Sequence, residues 1–105
     1  MRLKKDPKKH LRRFEKQEIL DAFKMLGNEY RMNVLLALKR YPNITLEQIN
    51  DHVGGDFKNI HVHVKKLSIA GLVNKKYKGN HVQHTLSEYG KVAVDCFHRF
   101  EKDPY

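Results

Sequence analysis

The sequence predicts a mainly α-helical fold with one small β-hairpin, an α+β class. Three observations predict it. The stretch 56–71, DFKNIHVHVKKLSIAG, carries Phe57, Ile60, Val64 and Leu67 at the i, i+3, i+4 spacing of a helix with one apolar face. A shorter helical pattern, ITLEQINDHV, precedes it across Gly54-Gly55. Directly after Gly71, the runs LVNKKYK and HVQHTLS flank Gly79-Asn80, the pattern of a two-residue hairpin.

Residues 1–9, MRLKKDPKK, form a basic arm broken by Pro7, and 10–105 form one domain. A helical pattern runs from about residue 8 to Leu26, with Leu11, Phe14, Ile19, Leu20, Phe23 and Leu26 apolar. These spread over more than one stripe, so this helix is expected to face both its own core and a partner protomer. Asn28 suits the cap of a second helix over 29–40, with Met32, Leu35, Leu36 and Leu38 on its core face. Pro42 ends it by disfavouring helical geometry at Tyr41. Thr45 and Gln48 have capping-box spacing, and Ile44 and Ile49 stand where a hydrophobic staple places them.

The short helix, the glycine turn and the helix at 56–71 make a helix-turn-helix unit. Asp56 suits the N-cap of that second helix and Gly71 its left-handed stop. The hairpin is expected to turn as type II′ or type I′, with Leu72, Val73, Val82 and Leu86 inward. Ser87 caps a last helix from Glu88 to about residue 102, with Tyr89, Val92, Ala93, Cys96, Phe97 and Phe100 apolar. A domain this small rarely needs another helix to close its core, so part of this helix is expected to be a dimer surface. Cys96 is expected in the core.

The 105 residues carry a net charge of +9, unevenly placed. Residues 1–16 hold eight basic and two acidic side chains, and residues 58–81 hold six lysines and no carboxylate. Two basic blocks on a near-neutral body point to a polyanion partner. The arm at 1–9 is then either a solubilising tail or a segment that orders against DNA. A single cysteine, Cys96, excludes an internal disulfide and fits a reducing compartment. No apolar run approaches the ~18–20 residues that span a membrane, and the N-terminus lacks the apolar core of a signal peptide. A cytoplasmic, nucleoid-associated protein is expected, with no membrane partner. No nucleophile elbow, phosphate-binding glycine loop or Ser/His/Asp set is present, so neither an enzyme nor a cofactor is expected.

The outer face of 56–71 presents Lys58, Asn59, His61, Val62, Lys65 and Lys66. A helix with one apolar face and one basic, amide-bearing face fits a DNA major groove; the alternative is a solvated basic face. Asn59 can bond an adenine edge, Lys58 can reach guanine, and Val62 can meet a thymine methyl. His61 lies in the same first turns, while Lys65 and Lys66 are farther along and suit phosphate. Lys75, Lys76, Lys78 and His81 surround the hairpin tip as phosphate or minor-groove contacts, which makes the hairpin a wing over 74–82. His63 falls between the core and outer faces and is expected to make a structural hydrogen bond. His61 and His63 point about 200° apart on a helix and are a poor metal pair. Arg31 reaches backbone phosphate or is a surface charge.

The run LGNEYRMNVLLAL at 26–38 resembles the LGxxxRxxILxxL opening of arsenic-repressor-type (ArsR-like) winged-helix regulators. IHVHVKKLSIAGLV at 60–73 resembles their VSxHLxxLxxAGLV signature, with His61 in place of Ser and His63 keeping the His. TLSEYGK at 85–91 is similar to the LTxxGK segment of MarR-type winged helices. The resemblance covers about residues 20–100. It implies a winged helix-turn-helix, a homodimer joined through its first and last helices, and regulation of transcription on double-stranded DNA.

The metal chemistry of that family does not carry over, because its Cys-x-Cys falls at Thr45-Leu46-Glu47. Asp95, His98 and Glu101 at i, i+3, i+6 resemble half of an interprotomer zinc site, but the partner positions near Thr85 and Ser87 do not match. A solvated face is the plainer account of those three. Two other roles compete with sequence-specific regulation. One is a chromatin-like coat with equal affinity for all duplexes. The other is a winged helix for protein contacts, which the lysines disfavour.

Overall fold

A computed structural model describes residues 13–102. The arm at 1–9, the residues up to 12 and the three C-terminal residues lie outside them. Five helices and one hairpin follow in the order α1 (Lys16–Leu26), α2 (Glu29–Arg40), α3 (Leu46–Val53), α4 (Phe57–Ile69), β1 (Val73–Lys78), β2 (His81–Leu86) and α5 (Glu88–Glu101).

Local chemistry sets most of the boundaries. Asn28 Oδ1 accepts the Arg31 amide at 3.0 Å and starts α2. Thr45 and Gln48 form the expected capping box: Thr45 Oγ1 accepts the Gln48 amide at 3.2 Å, and Gln48 Oε1 accepts the Thr45 amide at 2.9 Å. Asp56 caps α4 through the Lys58 amide at 3.1 Å. Ser87 caps α5 through the Gly90 amide at 2.9 Å, and its hydroxyl donates to the Gly71 carbonyl at 2.6 Å. One serine thus starts the last helix and ties it to the end of α4. Gly71 has φ +81, the left-handed stop expected of it. At the hairpin tip only Gly79 has positive φ and Asn80 does not, the pattern of type II′ rather than type I′.

The first helix starts later than its apolar pattern suggested. Glu15 rather than a residue near 8 precedes it, because the Glu15 amide donates to Glu18 Oε1 at 2.8 Å. Phe14 lies outside the helix and packs against α5 near the far end of the chain. Its amide donates to the Tyr89 hydroxyl at 2.9 Å and its ring stacks on Tyr89 with centroids 3.8 Å apart.

The core is a helical layer closed by the hairpin. Val34, Leu35, Leu38, Ile49, Ile60, Val64, Leu67, Leu72 and Val94 are essentially inaccessible to solvent. Several expectations shift by one position. Val34 is fully buried, while Leu36 is only partly covered. Phe57 is exposed instead of inward: it begins α4 beside Gly54-Gly55, which carry no side chains to cover it. Val82 is half-buried, and His84 takes the inner place beside Leu86. On α5, Val94 is buried while Val92, Cys96 and Phe100 are exposed, so Cys96 is no core residue. Among the described residues nothing covers that face of α5.

The strands pair antiparallel from Val73↔Leu86 to Lys78↔His81. A third segment joins them at one point. Ile44 and His84 exchange backbone hydrogen bonds of 3.2 and 2.7 Å, which fixes the lead-in to α3 against β2. Gly90 lets α5 approach this junction: a Cβ there would stand 2.1 Å from the Leu72 carbonyl oxygen.

Candidate nucleic-acid interface

Helix α4 is clamped from behind, which leaves its other face free. Ile60, Val64 and Leu67 are buried against the core. Lys58, Asn59, His61, Val62, Lys65 and Lys66 are all exposed. At 3.6 residues per turn these six occupy an arc of roughly 160°. That arc holds no carboxylate, and the first turn of the helix contains no acidic residue after its cap.

His63 lies at the border of the two faces and is engaged internally. Its Nδ1 accepts the Arg31 Nε–H at 3.3 Å, and its ring meets Tyr30 edge to face at 5.0 Å. Burial lowers its pKa, and the charges of Arg31 and Lys66 push the same way. The neutral imidazole is the form that can accept from Arg31. Arg31 also donates Nη1–H to the Met25 carbonyl at 3.3 Å. It therefore bridges the end of α1 to α4 and is neither a loose surface charge nor a side chain aimed outward. Tyr30 adds a second brace, donating its hydroxyl to the Gly54 carbonyl in the turn before α4. The structural hydrogen bond expected of His63 is thus present, but its partners Arg31 and Tyr30 were not legible, since a whole helix separates them from it.

The hairpin splits its cations between two faces. Register puts Lys75 and Tyr77 on the side of Val73, Val82 and His84, and puts Lys76 and Lys78 on the opposite side with Gln83 and His81. All four of Lys75, Lys76, Lys78 and His81 are exposed. Lys75, Tyr77, His61 and His81 line one groove of about 310 Å³ between α4, the start of α3 and the hairpin. Glu47 and the edge of His84 also reach it. His84 is a structural residue: it is 2% exposed, and its Nδ1 lies 3.2 Å from the Ile44 carbonyl, which already accepts its backbone amide. Burial is the main cause of its lowered pKa.

Asp95, His98 and Glu101 do not converge. His98 Nδ1 pairs with Glu101 at 2.7 Å, while Asp95 faces Lys39 at 3.9 Å. Among the described residues no group of three or more His, Cys, Asp or Glu is placed to hold a metal ion. No described helix is long and apolar enough to cross a membrane.

A capped short helix, a tight turn, a braced second helix and a two-stranded hairpin against its end complete the arrangement. The chain folds as a winged helix-turn-helix. Solved structures agree. HlyU from Vibrio cholerae superposes with a TM-score of 0.72 at 23% identity, over 83% of this chain and 97% of that one. The homodimeric winged helix-turn-helix DNA-binding domain of Mb0332 from Mycobacterium bovis, described as a possible ArsR-family regulator, matches at 0.75 and 17% identity, over 100% and 94%. An ArsR-like transcriptional regulator from Rhodococcus sp. RHA1 matches at 0.66 and 19% identity, over 81% and 80%. No protein-family model matches the chain, and no curated protein matches its sequence. In winged-helix terms α4 stands at the recognition-helix position and β1–β2 form the wing.

A second exposed surface, between α1 and α5, is chemically different. Ile19, Leu20 and Phe23 of α1 and Val92 and Phe100 of α5 are exposed. Between the two helices runs an apolar groove of about 230 Å³, with Phe23, Leu26, Val92 and Cys96 among its walls.

Proposed function

We propose that this chain is a double-stranded DNA-binding transcriptional regulator that acts as a homodimer. The carboxylate-free outer arc of α4 beside a lysine-bearing wing carries the reading. Lys58, Asn59, His61 and Val62 enter a major groove, where an amide and a lysine can read base edges. Lys65, Lys66, Lys75, Lys76, Lys78 and His81 hold phosphates or the minor-groove edge and set the register. The bare apolar faces of α1 and α5 meet those of a second copy. The homodimeric neighbour of the same fold supports dimerisation. Two recognition helices then reach successive major grooves, ~34 Å apart. The protein works by occupying DNA rather than by catalysis, in a cytoplasmic, nucleoid-associated setting.

The decisive experiment is a titration on the chain's own upstream DNA and on a random duplex, at two salt concentrations. Tight, salt-steep binding with a two-half-site footprint supports a sequence-specific regulator. Equal affinity for both duplexes supports a chromatin-like coat, and no binding to either removes DNA as the partner. Asn59→Ala should lower discrimination at one base position by roughly 1–3 kcal/mol. Equal loss on specific and random duplexes would deny Asn59 a reading role.

A further inference from the structure

Two exposed histidines from different elements, His61 on α4 and His81 at the start of β2, line the same groove. This groove separates the recognition-helix position from the wing, so a DNA strand held by both passes along it. The charged and titratable groups facing the two imidazoles can be named. Glu47 comes from α3, Lys75 and Tyr77 from β1, and His84 from the floor of the hairpin. Lys58 and Lys65 flank His61 along its own helix, and Lys78 pairs with His81 across the hairpin.

Among the described residues Glu47 is the one carboxylate on the groove wall. A phosphate entering the groove meets that negative charge and a single lysine, Lys75. An imidazolium at His61 or His81 changes this balance, adding a positive charge and a second N–H donor. The incoming phosphate in turn favours the protonated ring, because an opposite charge nearby stabilises the charged form. Histidine is the side chain for which this exchange falls at physiological pH. His84 and His63 do not take part, since each is engaged inside the protein through its ring nitrogen.

We propose that DNA binding by this chain is proton-linked: His61 and His81 take up protons as a phosphate enters the groove between α4 and the wing, so affinity rises as pH falls. The proposal rests on the DNA-binding reading above and adds its regulation.

The test is a fluorescence titration of the full chain on a random duplex at low, fixed ionic strength. Between about pH 8 and about pH 6 the Kd should fall by roughly tenfold per protomer, because protons taken up on binding tighten it as the pH drops. Calorimetry in two buffers of different ionisation enthalpy should show net proton uptake at pH ~7. The His61→Gln/His81→Gln double variant should bind with a much flatter pH profile and little proton uptake. Glu47→Gln should tighten binding more at the higher pH than at the lower. Tight binding that ignores pH overturns the proposal and leaves the DNA reading intact. A pH profile that survives in the double variant also overturns it. Failure to bind the duplex at either pH overturns both.

Discussion

The two exposed faces of this molecule differ in kind. The α4–wing face presents lysines, an asparagine and two histidines over a braced helix. The α1–α5 face presents Phe23, Val92 and Phe100, which are 60, 62 and 84% exposed. Water solvates the first face well, and a polyanion can replace that water by releasing counterions. Water solvates the second poorly, and burial against another apolar surface removes the cost. Exposure alone therefore says little about partners, and the chemistry of what is exposed says a good deal. One face suits a charged, hydrated partner and the other suits a second copy of itself.

The largest expected effect breaks the link between the faces. Phe23→Asp with Val92→Asp places carboxylates in the apolar groove, far from any lysine of α4. Light scattering should show a monomer. DNA affinity should fall by roughly 10²–10⁴-fold, because two linked half-site contacts become one. Thermal stability of the monomer should change little, since neither side chain is buried within one chain. A variant that stays dimeric would move the pairing surface elsewhere.

The next effect concerns what seats the wing. His84 is buried, and its Nδ1–H bonds the carbonyl of Ile44, so His84→Ala leaves a cavity and an underused acceptor. A loss of about 1–3 kcal/mol is expected in denaturant unfolding. The pH dependence has a defined sign. Burial lowers the folded-state pKa of His84 and His63 below the ordinary 6.5. The unfolded chain therefore binds more protons once the pH drops below about 6.5. The stabilisation from both neutral rings is complete above that pH and is lost as pH falls toward the folded-state values. Melting temperature should fall between pH ~7.5 and pH ~5.5. His84→Ala should flatten part of that fall. A melting temperature that rose on acidification would refute the assignment of neutral rings.

The α4–wing face was more legible in the sequence than the elements that hold it. Caps at Asn28, Thr45, Asp56 and Ser87 depend on neighbours within three residues, so local chemistry announces them. The two-residue turn at Gly79-Asn80 was legible in the same way, though not its choice of type II′ over type I′. The outer arc of α4 follows from helical period and a run without carboxylates. What stayed hidden is long-range. Phe14, just before α1, meets Tyr89, 75 residues away. The Ile44–His84 pairing and the Arg31–His63 bond span 40 and 32 residues. Polar side chains read as outward when their partners are distant in sequence, which is why the inner places of the hairpin were expected at Leu72, Val73, Val82 and Leu86 and not at His84. Val34 and Val94 were hidden for another reason. Each lies one step from a stripe of larger apolar residues, and periodicity within ±1 position does not separate them.

The smallest expected effect sharpens the comparison within the basic face itself. Lys76 and Lys58 are both exposed lysines, but Lys58 stands in the first turn of α4 and Lys76 on the side of the hairpin away from Val73. If the wing holds only phosphate, Lys76→Ala weakens specific and random duplexes alike. It also lowers the slope of log K against log salt by about 0.9, one counterion's worth. Lys58→Ala, by contrast, should change the ratio between the two duplexes. Neither change should alter the light-scattering mass, because both lie outside the α1–α5 face proposed to pair. A Lys76 variant that altered discrimination at a single base pair would mean that the wing enters the minor groove and reads it. The division of labour would then be between two reading elements, and α4 would not be the only source of specificity on that face.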